Sequence, residues 1–198
     1  MARLTDTAIV LRRWEYSETS QTVSLLTRAH GIVRGLAKGA LRSNGSFSGG
    51  FEPMTRGHLG WIHKPGRELS TLTEWHLEDI FWPLRQQVSL NRAAVYAVDL
   101  VSRLLTDQDP HPDVHDALQH VLDTLHTDPF PEAHLLTFQW RMLTAIGWRP
   151  CIEQDIRTGE AVSSTDDVVG FSSLDGGVVN MPTDGDHRVR RSTITLLE

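Results

Sequence analysis

The sequence predicts an α+β protein, with an N-terminal five-stranded barrel at residues 1–80 and an α-helical domain at residues 81–198. Two observations lead to this fold class. Five short segments of strand character follow one another with no helical pattern between them, which favours an antiparallel sheet closed on itself. After Pro83 the apolar residues recur instead at the three- and four-residue spacing of helices.

The five strands are predicted from β-branched and alternating apolar residues bounded by turn signals. Val23 and Leu25, for example, alternate with polar neighbours. Gly35 lies on the small-residue face of the third strand, as expected where a strand bends around a small barrel. The predicted strands are residues 4–13, 21–28, 32–38, 54–63 and 69–77. The five-stranded oligonucleotide-binding (OB) fold matches this arrangement best.

Three helices are predicted after the barrel. The second has the most regular spacing of apolar residues, from Val114 to Leu125 after a start at Pro112. The third, from Pro131 to Gly147, is apolar over much of its circumference and is expected to be the buried centre of the bundle. The first helix is expected to begin at Pro83, and its apolar residues recur at helical spacing at Leu84, Val88, Val95, Val98, Val101 and Leu105.

Composition argues against several classes of protein. No apolar run approaches the roughly 18 residues of a membrane span, and no charged-then-apolar leader opens the chain, so a cytoplasmic location without a membrane partner is expected. The single cysteine, Cys151, rules out an internal disulfide bond and a four-thiolate zinc site. No serine lies in the setting of a catalytic nucleophile, so neither an enzymatic activity nor a cofactor is expected.

Charge is distributed unevenly along the chain. Residues 1–67 carry a balance of +6, whereas the remainder carries −12. The glycine-rich segment 31–50 presents three cations at four-residue spacing. Such cations neutralise phosphates and favour a DNA-binding face, although chance segregation of solvated charge would leave the same pattern. The predicted DNA-binding residues are Arg12, Arg13, Arg34, Lys38, Arg42, Phe47 and Arg56.

Aromatic side chains near these cations would stack on nucleic-acid bases. Phe47 lies in a polar, glycine-rich loop, which favours an exposed ring. Trp14 and Trp61 are further candidates, but each also fits the apolar interior of a barrel. The sequence leaves both possibilities open for these two residues.

The barrel segments resemble the RecO family of bacterial recombination mediators. The resemblance covers, in order, TDTAIVLRRWEYSETSQTVSLLTRAHGIVRGLAKGALR, FEPMTRGHLGW and ELSTLTEW, and it continues weakly to Gly147-Trp148-Arg149-Pro150. It implies binding of single- and double-stranded DNA, annealing of complementary strands, and loading of RecA together with RecR onto DNA coated by single-strand-binding protein. It also implies a nucleoid-associated protein without catalytic turnover that contacts the acidic C-terminal tail of the coating protein.

Arginines of the helical domain are candidates for receiving that acidic tail, because capture of a terminal carboxylate beside an apolar groove is a known mode of recognition. Arg141 lies on the most apolar helix, where an unpaired charge would be costly to bury. The predicted partner-binding residues are Arg92, Arg103 and Arg141.

The region near residues 150–185 departs from the family pattern, which implies two cysteine pairs of a zinc knuckle. Alignment on the Gly-Trp-Arg-Pro segment gives four positions, none of them cysteine: Asp155, Thr158, Asn180 and Thr183. A degenerate knuckle without metal is therefore expected. Short strands around residues 168–169 and 178–179, or an irregular extension, are expected here, and the start of another helix at residues 192–198.

Two other functions remain open from the sequence. One is a protein-binding adaptor whose barrel makes no productive contact with DNA. The other is a metal-dependent hydrolase built on histidines such as His111 and His115, which are four residues apart. No HExxH-like spacing supports the hydrolase, and solvated helix faces also explain the histidines.

Overall fold

The structure, a computed structural model, describes residues 2–42, 46–48, 50–63, 66–127, 131–163 and 167–195. The chain divides into two compact units, Met1–Met142 and Leu143–Glu198. Within the described residues, no helix is both long and apolar enough to cross a lipid bilayer.

The first unit opens with a closed antiparallel barrel. Its strands are β1 (Ala2–Ser17), β2 (Ser20–Thr27), β3 (Gly31–Ala37), β4 (Phe47–Ser48), β5 (Arg56–His63) and β6 (Ser70–Asp79). Over the described ranges the strand order is β3-β2-β1-β5-β6, with the short β4 added to β6, and a parallel pairing of β3 with β6 closes the barrel. The predicted fold class, a five-stranded OB barrel followed by helices, is confirmed.

The barrel encloses a core of apolar side chains that includes Trp61, Trp75 and Phe51. The strands close tightly at Gly35, where an added Cβ atom would lie 2.2 Å from Cδ2 of Leu72. Glycine therefore occurs where β3 must approach β6, which is the reason that small residues on this strand predict a small barrel.

Four helices follow among the described residues: α1 (Trp82–Gln86), α2 (Val88–Leu104), α3 (Pro112–Thr124) and α4 (Pro131–Ala145). The amphipathic pattern predicted for α3 is confirmed, because Val114, Leu118 and Val121 are all buried. Pro112 begins α3 and Pro131 begins α4, where the missing amide hydrogen of proline costs no hydrogen bond.

Two predictions about the helices are wrong. The single helix predicted from Pro83 is interrupted by extended backbone at Gln87, which separates α1 from α2. Val88 and Val95 are exposed. The buried side of α2 is instead Leu90, Ala94, Ala97, Val98 and Val101. Helix α4 is not the buried centre of a bundle, since only Phe138 and Met142 are fully buried on it. Its apolar residues point around the whole circumference, and a single contact side cannot cover them all.

The second unit contains a small antiparallel sheet. Its strands are β7 (Val168–Ser172), β8 (Gly177–Val179) and β9 (His187–Arg190), in the order β8-β7-β9, and a short helix α5 (Arg191–Thr195) follows. The strands predicted at residues 168–169 and 178–179 are confirmed. The predicted C-terminal helix begins one residue early, and residues 196–198 lie outside the described residues.

The Asp155 carboxylate joins the two loops of the knuckle-like region. It is 3% exposed, and it accepts hydrogen bonds from the backbone N–H groups of Arg157 (2.8 Å), Thr158 (3.0 Å) and Asn180 (2.6 Å). These bonds, that of Asn180 foremost, lower the pKa of Asp155 below its usual range. Both oxygens are occupied by amide donors, so the four aligned positions do not fit a zinc ion.

An ion-pair network supports the same region. The Arg157 guanidinium donates to Asp175 at 2.8 Å and to both oxygens of Asp186 at 2.8 and 2.9 Å. These bonds lower the pKa of Asp186, with Arg157 the main cause, and hold the arginine charged. Carboxylates and backbone amides thus connect the loops of this unit.

Candidate nucleic-acid interface

One outer face of the barrel is formed by β1, β2 and β3 and is partly covered by the helices. Directly opposed residues of an antiparallel sheet point to the same side. The register places Ile9, Leu26 and Ile32 in one such row across the three strands. All three are buried, and β1 and β2 contact α2 and α3.

The next row marks the edge of the covered area. Arg12 lies opposite Ser24, which in turn lies opposite Arg34. A bulge between Val10 and Arg12 inserts one residue, Leu11, and thereby places the arginine in this row. The row therefore places Arg12 and Arg34 beside the acidic helical segment.

Ion pairs link this edge to the helices. Arg12 contacts Asp99 of α2, and Arg34 Nε lies 3.1 Å from Asp107. Arg28 binds both oxygens of Asp116 at 2.8 Å and lowers the pKa of that carboxyl to about 2. Part of the uneven charge along the chain thus joins the barrel to the helical segment. Arg12 and Arg34, both predicted to bind DNA, already pair with carboxylates.

The third row of the same face is exposed at Trp14 and half-buried at its other two residues. Trp14 lies opposite Thr22, and Thr22 lies opposite Leu36. Trp14 is 47% exposed, and Tyr16, in a second bulge two residues later, is 62% exposed. Both aromatic side chains lie outside the barrel core. Of the two positions that the sequence leaves open for Trp14, exposed or in the barrel interior, the structure therefore shows the exposed one.

Two cations lie at the end of this row. Lys38 directly follows β3, and the Arg42 side chain covers Gly39. Hydrogen bonds from Gly39 N–H to Ser20 Oγ (3.2 Å) and from Leu41 N–H to Thr19 O (3.1 Å) hold this turn against the β1–β2 turn. Within the part of the chain that the structure describes, neither Lys38 nor Arg42 forms an ion pair, and neither do the neighbouring Glu15 and Glu18. We call Trp14, Tyr16, Leu36, Lys38 and Arg42 together the open face.

The other predicted DNA-binding cations lie apart from the open face. Arg13 pairs with Glu52 at 2.7 Å. Arg56 is 21% exposed at its side chain, and its guanidinium faces three carboxylates at 3.5 to 3.9 Å, those of Glu78, Asp79 and Asp123. The six cations predicted to bind DNA therefore do not form one surface, because acidic neighbours already balance Arg13 and Arg56.

Phe47 and Trp61 belong to the barrel core. Phe47 packs on Phe51 with ring centroids 5.6 Å apart, and the Phe51 ring lies 5.2 Å from that of Trp75. The loop of Phe47 folds back because β4 pairs with β6. The expectation of an exposed Phe47 ring is thus corrected, since burial in this cluster outweighs the polar character of its neighbours in sequence.

The predicted partner-binding arginines lie on α2 and α4. Arg92 and Arg141 are exposed and have no ion pair among the described residues, whereas Arg103 donates to Asp99 at 2.5 Å. That bond is the main cause of a lowered Asp99 pKa. A hydrogen bond of 2.6 Å from Gln139 to the Tyr96 hydroxyl places α4 beside α2.

The histidines do not assemble a metal centre in the described ranges, where no group of three or more His, Cys, Asp or Glu side chains could hold a metal ion. His115 is buried, and this burial lowers its imidazole pKa. His111 instead lies 3.1 Å from Asp109. These contacts place both histidines in the packing and the surface of α3.

Comparison with known families agrees with this architecture. The N-terminal model of recombination protein O matches residues 1–81, and the C-terminal model of the same protein matches residues 85–190. The chain belongs to the RecO family. The resemblance stated from the barrel segments is thereby confirmed.

Relatives in the RecO family are similar over most of the chain. The DNA repair protein RecO of Rhodopirellula baltica is 31% identical over 172 residues, which cover 87% of this chain and 64% of that protein. RecO of Salinibacter ruber is 32% identical, with 90% and 66% covered, and RecO of Anaeromyxobacter sp. (strain K) is 31% identical, with 90% and 70% covered. The chain therefore spans about two thirds of the length of these RecO proteins.

Sequence reasoning missed Tyr16 and the extent of β1. The polar segment 14–20 was predicted to connect two strands, yet strand pairing continues through it to Ser17 and Ser20. Two aromatic residues spaced two apart in this segment were the available signal of a continuing strand.

Proposed function

We propose that this RecO-family chain is a DNA repair and recombination mediator that binds single- and double-stranded DNA and anneals complementary strands. Together with RecR it helps to load RecA onto DNA coated by single-strand-binding protein. It acts by binding, without covalent chemistry. The observation that supports DNA binding best is the open face, where Lys38 and Arg42 flank the turn that follows β3 and have no carboxylate partners among the described residues.

The open face suits a phosphate backbone for an electrostatic reason. A cation that already pairs with a carboxylate gains little from a phosphate, because it must exchange one anion for another. Lys38 and Arg42 have no such partner to give up, and each phosphate they neutralise releases counterions into solution. The same neutralisation lowers the repulsion between two DNA strands and so favours annealing.

The α2 surface is proposed to receive the acidic tail of the coating protein. Arg92 is exposed there between Val88 and Val95, about one helical turn away on either side, and both valines are exposed as well. A cation flanked by apolar side chains suits an acidic peptide that ends in an apolar residue. Arg141 on the neighbouring α4 adds a second cation.

Strand annealing tests the proposed function. Two complementary oligonucleotides, labelled as a fluorescence donor and acceptor, are mixed with and without the protein at low salt. We expect the protein to accelerate duplex formation and to bind both strands. If circular dichroism shows that the protein is folded but it neither binds nor anneals the strands at low salt, this result would support the alternative of a protein-binding adaptor.

The partner steps are tested separately. We expect that the protein and RecR together, but neither alone, restore RecA-dependent ATP hydrolysis on DNA saturated with single-strand-binding protein. Arg92→Glu is expected to weaken capture of the coating protein without changing the affinity for naked DNA. Equal capture by Arg92→Glu and the unsubstituted protein would contradict the assignment of the α2 surface.

A further inference from the structure

The open face contains more exposed aromatic surface than phosphate contact requires. Trp14 and Tyr16 lie on β1 where the strand extends past the helices. The row from Trp14 through Thr22 to Leu36 crosses three strands, about 10 Å from side to side at normal strand spacing. The lysine and arginine of the same face lie at its β3 end.

We propose that the open face is a stacking platform for single-stranded DNA, with the Trp14 indole as its main base contact. This inference rests on the proposed function and specifies the strand form that the face recognises. A base that stacks on Trp14 leaves its phosphates within reach of Lys38 and Arg42. Lys38 and Arg42, which have no ion pair among the described residues, favour a polyanion at the β3 end of the aromatic row, whereas the exposed Glu15 and Glu18 lie at its β1 end.

An indole face distinguishes single strands from duplexes. In a duplex both faces of each base are covered by neighbouring base pairs, so an exposed ring has no base face to contact. In a single strand the bases can unstack and lie on an aromatic side chain, and this stacking depends little on sequence. The platform therefore favours single strands, whereas phosphate contacts alone bind both forms.

The test compares Trp14→Ala with Trp82→Ala. Trp82 on α1 is also exposed, at 58%, but lies outside the open face, which makes it a matched control. Affinity is measured by fluorescence anisotropy for oligothymidylate of about 16 nucleotides, near the upper site size of one OB barrel, and for a duplex and an abasic strand of equal length. We expect Trp14→Ala to weaken oligothymidylate binding about fivefold or more, with the other two ligands affected less than about twofold.

Intrinsic fluorescence gives a second readout that does not depend on loss of affinity. Oligothymidylate is expected to quench tryptophan emission in the unsubstituted protein and in Trp82→Phe, and to quench it less in Trp14→Phe. Tyr16→Ala is expected to show a smaller loss of affinity in the same direction as Trp14→Ala. Trp14→Phe, which keeps a ring, should recover part of the affinity that Trp14→Ala loses.

The outcomes separate this inference from the proposed function. If the unsubstituted protein binds no DNA at low salt, both are overturned. If it binds oligothymidylate and Trp14→Ala matches Trp82→Ala, only the stacking platform is overturned. Equal losses of affinity for all three ligands would also overturn the stacking platform. So would a Trp14→Ala variant that loses RecR binding but keeps full affinity for oligothymidylate, because the face would then be a protein-docking surface.

Discussion

Asp155→Ala is expected to lower the stability of the C-terminal unit by about 3 kcal/mol or more, because the substitution leaves three backbone N–H groups without their acceptor. A unit of this size is marginally stable, so a loss of this magnitude would unfold it. Amide hydrogen exchange read by mass spectrometry measures the effect separately in each unit. Protection should fall at residues 151–163 and 177–180 and persist in the barrel.

The control and the pH dependence sharpen this prediction. Glu160→Ala removes an exposed carboxylate of the same region and should leave protection unchanged. The pKa of Asp155 is lower in the folded than in the unfolded state. The stability that Asp155 contributes is therefore fully present above its unfolded-state pKa of about 3.9, and it is lost as the pH falls through its folded-state pKa. Asp155→Asn should therefore make amide protection less dependent on pH in the acid range. An unchanged acid transition in this variant would contradict the assigned role.

Gly31→Ala is expected to destabilise the first unit by roughly 2–5 kcal/mol. Gly31 has φ of +68°, and a Cβ atom there would lie 2.3 Å from the backbone oxygen of Asp109. The left-handed backbone conformation costs alanine about 1–2 kcal/mol, and overpacking against a fixed carbonyl adds about 1–3 kcal/mol. The segment that contains Asp109 also donates a hydrogen bond from Gln108 N–H to Ile32 O at 3.0 Å, so it cannot retreat without breaking its pairing with β3.

Gly66→Ala is the matched control for this substitution. Gly66 has φ of +77°, but among the described residues other than its chain neighbours no atom lies within 4 Å of the Cβ that alanine would add. Urea unfolding should show a loss of about 1–2 kcal/mol for Gly66→Ala and a clearly larger one for Gly31→Ala. Equal losses would show that the contact between β3 and the α2–α3 connection carries no steric constraint.

The barrel could be predicted from the sequence because its signals are local. Alternation at Val23 and Leu25 and the glycine at Gly35 each reflect a short stretch of strand. The placement of charge could not be predicted in the same way. Arg12 and Arg34 meet Asp99 and Asp107, which lie more than 70 residues away in sequence, and a bulge at Leu11 decides which side chain of β1 faces them.

The burial or exposure of single aromatic residues could not be predicted from the sequence either. Phe47 lies among polar residues in sequence but becomes core because two residues of β4 pair with β6. Trp14 lies in a strand yet remains exposed because β1 extends past the helices that cover its earlier residues. In both cases the arrangement of elements distant in sequence, rather than the neighbouring residues, determines exposure.

The salt dependence of oligothymidylate binding tests the central claim most directly. A plot of log affinity against log salt concentration has a slope of about −0.7 per neutralised phosphate for single strands. The double variant Lys38→Ala/Arg42→Ala removes two cations, so the slope should become shallower by about 1.4. Arg188→Ala/Arg190→Ala removes two exposed cations of the second unit and should keep the original slope. A slope that stays the same in both double variants, or falls equally in both, would show that the open face does not bind the phosphate backbone.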